Sequence, residues 1–387
     1  MESADLSSLL RDRPASTPEM LAAFGDEALL RAALRFEAQL ARSQADAGLI
    51  GPAEAEAIAA ACAELPDIAE LAEAATHAGT LAIPLVALLR ARLPADIAPL
   101  LHKGGTSQDL ADTALMLQAR EGAILISRDA ARLAHALAKL AQSHAATPML
   151  GRTLLQAALP ITFGLKVAGW LGGVDGARGR FETEAAAAIR LQFGGATGSL
   201  AGLDGKALDV ADRLAARLEL PAPVAPWHAQ RQGLAGLASA LAILVGAVGK
   251  IAGDVAMLAQ TEVGEAFEPK FAGRGGSSAM AHKRNPTGCQ VALSAAVRAP
   301  HLAATIVAAL PQQHERGLGG WQAEGPVLAE LFQLAHGALA AMAPVIEGLE
   351  IDEARMAANL AAADVGSDTG ASEALVARAL AAHRKDR

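Results

Sequence analysis

From Ser107 to about Ala146 the sequence keeps a single helical pattern for ~40 residues, ~60 Å at 1.5 Å per residue. No other feature narrows the possible folds so far. Its apolar positions Leu110, Ala114, Leu117, Ile124, Ile126, Leu133, Leu137 and Leu140 recur at helical spacing. Four more long helices are predicted, over 159–191, 226–265, 285–310 and 322–349. Glycine-rich connectors separate them at 194–198, 273–276 and 317–320. Helices of this length belong to bundles. Their apolar faces are wider than one subunit can cover, so an oligomeric bundle is expected. The fold class expected is all-α.

Around that core, residues 1–104 read as an N-terminal helical domain, 105–349 as the central bundle and 350–387 as a short C-terminal helical region. Phe24-Gly25-Asp26-Glu27 opens a helix running to about Gly48, and Gly51-Pro52 starts another. Pro66, Pro84 and Pro94 are expected to break the chain into short helices. Hydrophobic residues make up 52 % of the 387, aromatics 3 %, with no tyrosine. That much apolar surface excludes disorder, and scarce aromatics argue against a β-sandwich. The 37 glycines show no triplet period, which excludes a collagen-like chain.

A net charge of −8 argues against a nucleic-acid coat protein. Residues 232–249 carry no charge and are long enough to span a bilayer. They are rich in Gly, Ala and Ser, and Arg231, Lys250 and Asp254 continue the pattern, so a helix buried among other helices is expected. Residues 1–14 hold Glu2, Asp5, Arg11, Asp12 and Arg13 and no secretory apolar core. Cys62 and Cys289, far apart and in no metal-ligand spacing, read as reduced thiols of a cytoplasmic protein.

Three polar islands interrupt the apolar background, each at a helix end or connector where backbone N–H groups can meet an anion. The first is His102-Lys103-Gly104-Gly105-Thr106-Ser107-Gln108-Asp109, either a plain N-cap or a carboxylate site. The second centres on Gly151-Arg152-Thr153-Leu154-Leu155-Gln156, either a polar connector or a fork for a carboxylate held by Arg152 and Gln156. His144 precedes it. The third runs from Gly273 to Pro286, with Ser277, Ser278, His282, Lys283, Arg284 and Asn285. Lys283 does not follow the P-loop pattern, and no nucleophile elbow, zinc helix or EF-hand occurs. A glycine-hinged loop dense in donors suits closure over an anion whose charge grows during reaction.

These islands resemble, in order, the G-x-T-S-x-D, G-R-T-x-x-Q and G-S-S-x-M-P-x-K-x-N-P segments of the fumarase/aspartase superfamily. Within it the chain is most similar to the cycloisomerases, through Phe163-Gly164-Leu165-Lys166, Gly169-Trp170-Leu171, Ala225 to Arg231, His314-Glu315-Arg316 and Gly320 to Glu324. Ala281 replaces the signature proline, and Leu154 stands where fumarases and several lyases carry histidine. Gly325 follows Glu324 where an aromatic is expected, and the C-terminal region is short for the superfamily.

The resemblance implies a homotetramer whose sites draw on several subunits. It also implies chemistry without cofactor or metal on a small tricarboxylate: anti addition or β-elimination through a carbanion beside a carboxylate. In that reading Ser277 transfers the proton and His144 is the second relay. Lys283 and Asn285 hold the carboxylate that becomes the aci form, Thr106, Ser107, Arg152, Gln156 and Arg316 hold the others, and Ser278 also binds substrate. A fumarate-releasing lyase of the same superfamily and a catalytically silent structural homologue are the competing readings.

Overall fold

The central pattern folds as one helix, Ser107–Ser143, in a computed structural model that describes residues 9–271, 275–276 and 283–385. Thr106 is extended at its N-terminus, and the Thr106 N–H donates to Asp109 Oδ2 at 3.0 Å. Leu110, Ala114, Leu117, Ile126, Leu133 and Leu137 are buried, but Ile124 is 57 % exposed. Positions 124 and 126 lie about 200° apart on a helix, so only one of them can face the core.

Phe163–Ala188 and Gly320–Glu347 pack against this helix, and Gln232–Leu258 packs against both of them and against Thr287–Ala308. Gln232–Leu258, Thr287–Ala308 and Gly320–Glu347 each have the length and hydropathy of a membrane span. In Gln232–Leu258 the apolar side chains Leu237, Leu241, Leu244, Val248, Ile251 and Val255 are turned into the bundle, as expected for a helix enclosed by helices.

The predicted 159–191 helix starts late. Pro148–Thr153 and Gln156–Thr162 pair as an antiparallel hairpin, and the helix begins at Phe163. Pro160 cannot donate within a helix, and the Thr162 hydroxyl caps Phe163–Ala188 by accepting from the Leu165 N–H at 3.2 Å. The register shifts between Leu150 and Arg152. Gly151 sits at that bulge, where a Cβ would lie 2.5 Å from the Leu159 carbonyl oxygen. Leu154 and Leu155 make the turn at φ 51° and 63°, conformations that cost bulky side chains energy.

Asp26–Asp46 packs on Pro52–Ala61, on Ser107–Ser143 and on Ala207–Leu218, a helix the sequence reading did not foresee. Pro84 does not break the chain; it lies in the first turn of Ala82–Ala91, where its missing N–H has no intrahelical partner to lose. At the C-terminus, Glu353–Ala363 lies on the Pro148–Thr153 strand. Ser372–Lys385 lies on Phe163–Ala188, with His383 Nδ1 2.8 Å from Asp175 Oδ2.

One face of Phe163–Ala188 meets no partner among the described residues. Gly169, Gly172, Gly173, Gly176 and Gly179 are exposed, and a Cβ at any of them would meet nothing within 4 Å.

Candidate active site

At the N-terminal end of the long helix, Asp109 is fully buried and saturated. It accepts from the N–H groups of Thr106 (3.0 Å), Gly194 (3.0 Å) and Gly195 (2.9 Å) and lies 2.6 Å from His228 Nε2. Burial pushes its carboxyl up, while His228 and the backbone donors pull it down. Arg316 closes the other side of the 194–196 turn, donating to the carbonyls of Gly195 (3.3 Å) and Ala196 (3.1 Å). The turn is thus clamped between a carboxylate below and a guanidinium above, beside Thr106 and Ser107. That end can bind an anion through a helix N-terminus and an adjacent cation.

One turn along the helix, Asp112 takes both terminal nitrogens of Arg231, at 2.7 and 2.9 Å. Arg231 also bonds Glu324 and stacks 4.6 Å over the Trp227 ring. All three charges are buried. The group ties the 225–231 segment and Gly320–Glu347 to the long helix.

At the far end, Arg152 grips the fully buried Glu265 with both terminal nitrogens, at 2.8 and 2.7 Å, and Asn359 Nδ2 donates to the same carboxylate at 2.7 Å. Three residues on, Glu268 accepts from the N–H groups of Gly288 (3.1 Å) and Cys289 (2.8 Å), capping Thr287–Ala308 from a distance. Beside Glu268 a cavity of about 220 Å³ is also lined by Lys270, Gly275, Gly276, Lys283 and Asn285, among others. The Asn285 N–H donates to Gly275 O at 2.9 Å, and its side-chain amide donates to Gly276 O at 3.2 Å. Arg284, also on the cavity wall, donates to Glu350 and to the Glu268 carbonyl.

The sequence-predicted residues therefore fall into two groups. Thr106, Ser107 and Arg316 share one end; Arg152, Gln156, Lys283, Asn285 and His144 lie at the other. Ser277 and Ser278 lie outside the described residues. Thr106 and His144 cap opposite ends of one 37-residue helix, about 55 Å apart, so one chain cannot bring the two groups together. His144 Nδ1 is 3.1 Å from the Thr147 hydroxyl and 3.2 Å from Glu353, with its ring edge-on to Phe163. Gln156 is exposed beside the hairpin turn.

Sequence reasoning gave no role to Glu265, Asn359, Glu268, His228 or Lys166. Glu265 and Asn359 carry no local signal. His228 and Lys166 stood within quoted motifs, but only folding shows what faces them.

The chain matches the lyase family over residues 13–300. It is 50 % identical over 349 residues to 3-carboxy-cis,cis-muconate cycloisomerase of Bradyrhizobium diazoefficiens, covering 89 % of this chain and 77 % of that protein. It is 43 % identical over 366 residues to nitrosuccinate lyase of Streptomyces davaonensis, covering 92 % and 77 %. In structure it is similar to the 3-carboxy-cis,cis-muconate lactonizing enzyme of Pseudomonas putida, with TM-score 0.92 and 38 % identity over 98 % of this chain and 99 % of the other. On this likeness and its three ordered motifs, the chain belongs to the lyase family of the fumarase/aspartase superfamily.

Proposed function

We propose that this chain is a 3-carboxy-cis,cis-muconate cycloisomerase, an isomerase of aromatic catabolism that interconverts its substrate with 4-carboxymuconolactone. The observation that carries the reading is the 50 % identity to that enzyme along 89 % of the chain. One substrate carboxylate adds across a double bond to close the lactone; in reverse, a base removes the proton α to a carboxylate and the ring oxygen leaves as carboxylate. The difficult species is the aci-carboxylate dianion, which preorganised donors in a water-poor site must stabilise.

Lys283 and Asn285, which line the 220 Å³ cavity, meet that charge, and Ser278 is a further substrate-binding residue. Ser277 moves the proton, activated by neighbouring N–H groups and Lys283. Thr106, Ser107 and Arg316 hold another carboxylate at the helix N-terminus, and Gln156 contributes from the hairpin that Arg152 braces. His144 is the second relay. Each site is assembled from several copies of the chain in a homotetramer, and the glycine face of Phe163–Ala188 is one of the surfaces where copies meet. Five exposed glycines inside a helix each cost about 1 kcal/mol relative to alanine, and close approach of another helix accounts for them. The enzyme is soluble and cytoplasmic and uses no cofactor.

Ultraviolet absorbance of 3-carboxy-cis,cis-muconate mixed with the purified protein, without metal or nucleotide, tests the reading. Loss of the conjugated-diene band is expected. A second reading, a lyase releasing fumarate from a small succinate adduct, is favoured by the 43 % identity to nitrosuccinate lyase. An intact diene band together with fumarate release from such an adduct selects it.

A further inference from the structure

Lys166 is the fourth residue of the Phe163–Ala188 helix, directly after the hairpin. It is half-buried, and among the described residues its ammonium makes no hydrogen bond or ion pair. The charged groups near enough to act on it are Asp254, Lys250, Arg152 and Glu265. Each of these is already engaged. Arg152 and Glu265 hold each other, Lys250 Nζ lies 2.5 and 2.6 Å from the two oxygens of Asp254, and the Trp170 indole donates to Asp254 at 2.7 Å. Burial lowers the Lys166 amine, and Lys250 and Arg152 lower it further against the pull of Asp254 and Glu265.

The Lys166 stem is half-buried, and among the described residues no carboxylate hydrogen-bonds its ammonium, which leaves that ammonium available to an anion from outside. Lys166 also heads the exposed glycine face: Gly169 and Gly173 follow at i+3 and i+7 on the same side of the helix. The cation therefore stands where the hairpin end of one copy would meet another. Arg152, the cation expected there from sequence, has both terminal nitrogens on Glu265. Its bidentate grip joins the hairpin to the segment that runs on through Glu268.

We propose that Lys166 is the cation that binds a carboxylate of a small polycarboxylate substrate at the hairpin end of the site, and that Arg152 is a positioning residue. The proposal rests on the reading of the chain as an enzyme acting on such substrates. Losing one charge-assisted contact there weakens binding about 10- to 100-fold. The effect belongs in KM, because the ground-state substrate already carries the carboxylate.

The test uses the assembled full-length protein with Lys166→Met, which keeps the stem, and Lys166→Arg, which keeps the charge. The expected result is unchanged sedimentation in both variants, a KM for 3-carboxy-cis,cis-muconate raised at least tenfold in Lys166→Met with kcat less affected, and recovery in Lys166→Arg. A Lys166→Met variant with normal KM overturns the proposal. So does one that falls apart into smaller species, since Lys166 would then be an ion-pair partner between copies.

A readout independent of turnover is labelling of lysines with trinitrobenzenesulfonate at pH 8, mapped by peptide mass, with and without tricarballylate. Selective protection of Lys166 supports the proposal even if the wild type leaves the muconate untouched, a result that rejects only the proposed reaction. Labelling of Lys166 that ignores tricarballylate in an active enzyme rejects Lys166 alone.

Discussion

Arg231 is fully buried between Asp112 and Glu324, with Asp112 taking two of its nitrogens at 2.7 and 2.9 Å. Replacing it with methionine leaves two buried carboxylates without their cation, a loss of about 3–5 kcal/mol by the measure of other buried pairs. Arg231→Met should therefore lower the melting temperature by many degrees. Arg31→Met, which removes an exposed pair with Glu27, should change stability by less than about 1 kcal/mol. Equal thermal shifts in the two variants would contradict the buried arrangement.

His102 Nδ1 lies 2.6 Å from the fully buried Glu37. Burial lowers the imidazole, but Glu37 outweighs it and the net direction is upward from 6.5. For a histidine with a raised folded-state value, the added stability is complete below the unfolded value and fades as pH climbs through the folded one. Thermal denaturation from pH 6 to pH 9 should show a decline in stability that His102→Asn lacks. Parallel pH profiles would remove the pair from the account.

Ser277→Ala should cut turnover by several powers of ten with unchanged helix content by circular dichroism. A near-normal rate would take the proton-transfer role away from Ser277.

Because the two groups of site residues cap opposite ends of one helix, variants damaged at different ends should complement each other. Lys283→Met and Arg316→Ala, each inactive alone, should regain a fraction of wild-type activity after being mixed, dissociated and reassembled. Activity that stays at the level of the separate variants would argue for sites built within one copy.

On the glycine face, Gly173→Leu adds a good helix former where an added Cβ meets no described atom within 4 Å. Sedimentation should nevertheless show smaller species, with activity lost alongside, because the substitution blocks close helix approach. An intact assembly would place the contact elsewhere.

The helical architecture was readable because a 3.6-residue apolar period over dozens of positions admits few other folds. The Ser107–Ser143 and Gly320–Glu347 helices begin and end within a few residues of expectation. The hairpin was not readable. Its apolar Leu154, Leu155 and Leu159 mimic a helix start, and the turn uses two leucines at positive φ where asparagine or glycine usually signals one. The site was legible as residue types, not as pairings. Arg152 looked like a carboxylate fork because the carboxylate it holds, Glu265, lies 113 positions away. Lys166 drew no assignment because the lack of a counter-ion is a property of folded space.

The rigid span of the Ser107–Ser143 helix gives the proposed shared-site assembly a genetic consequence. In an assembly where every reaction centre borrows from several protomers, a single defective copy poisons more than its own centre. Co-expression of a damaged allele with an intact one would then depress output more steeply than gene dosage alone.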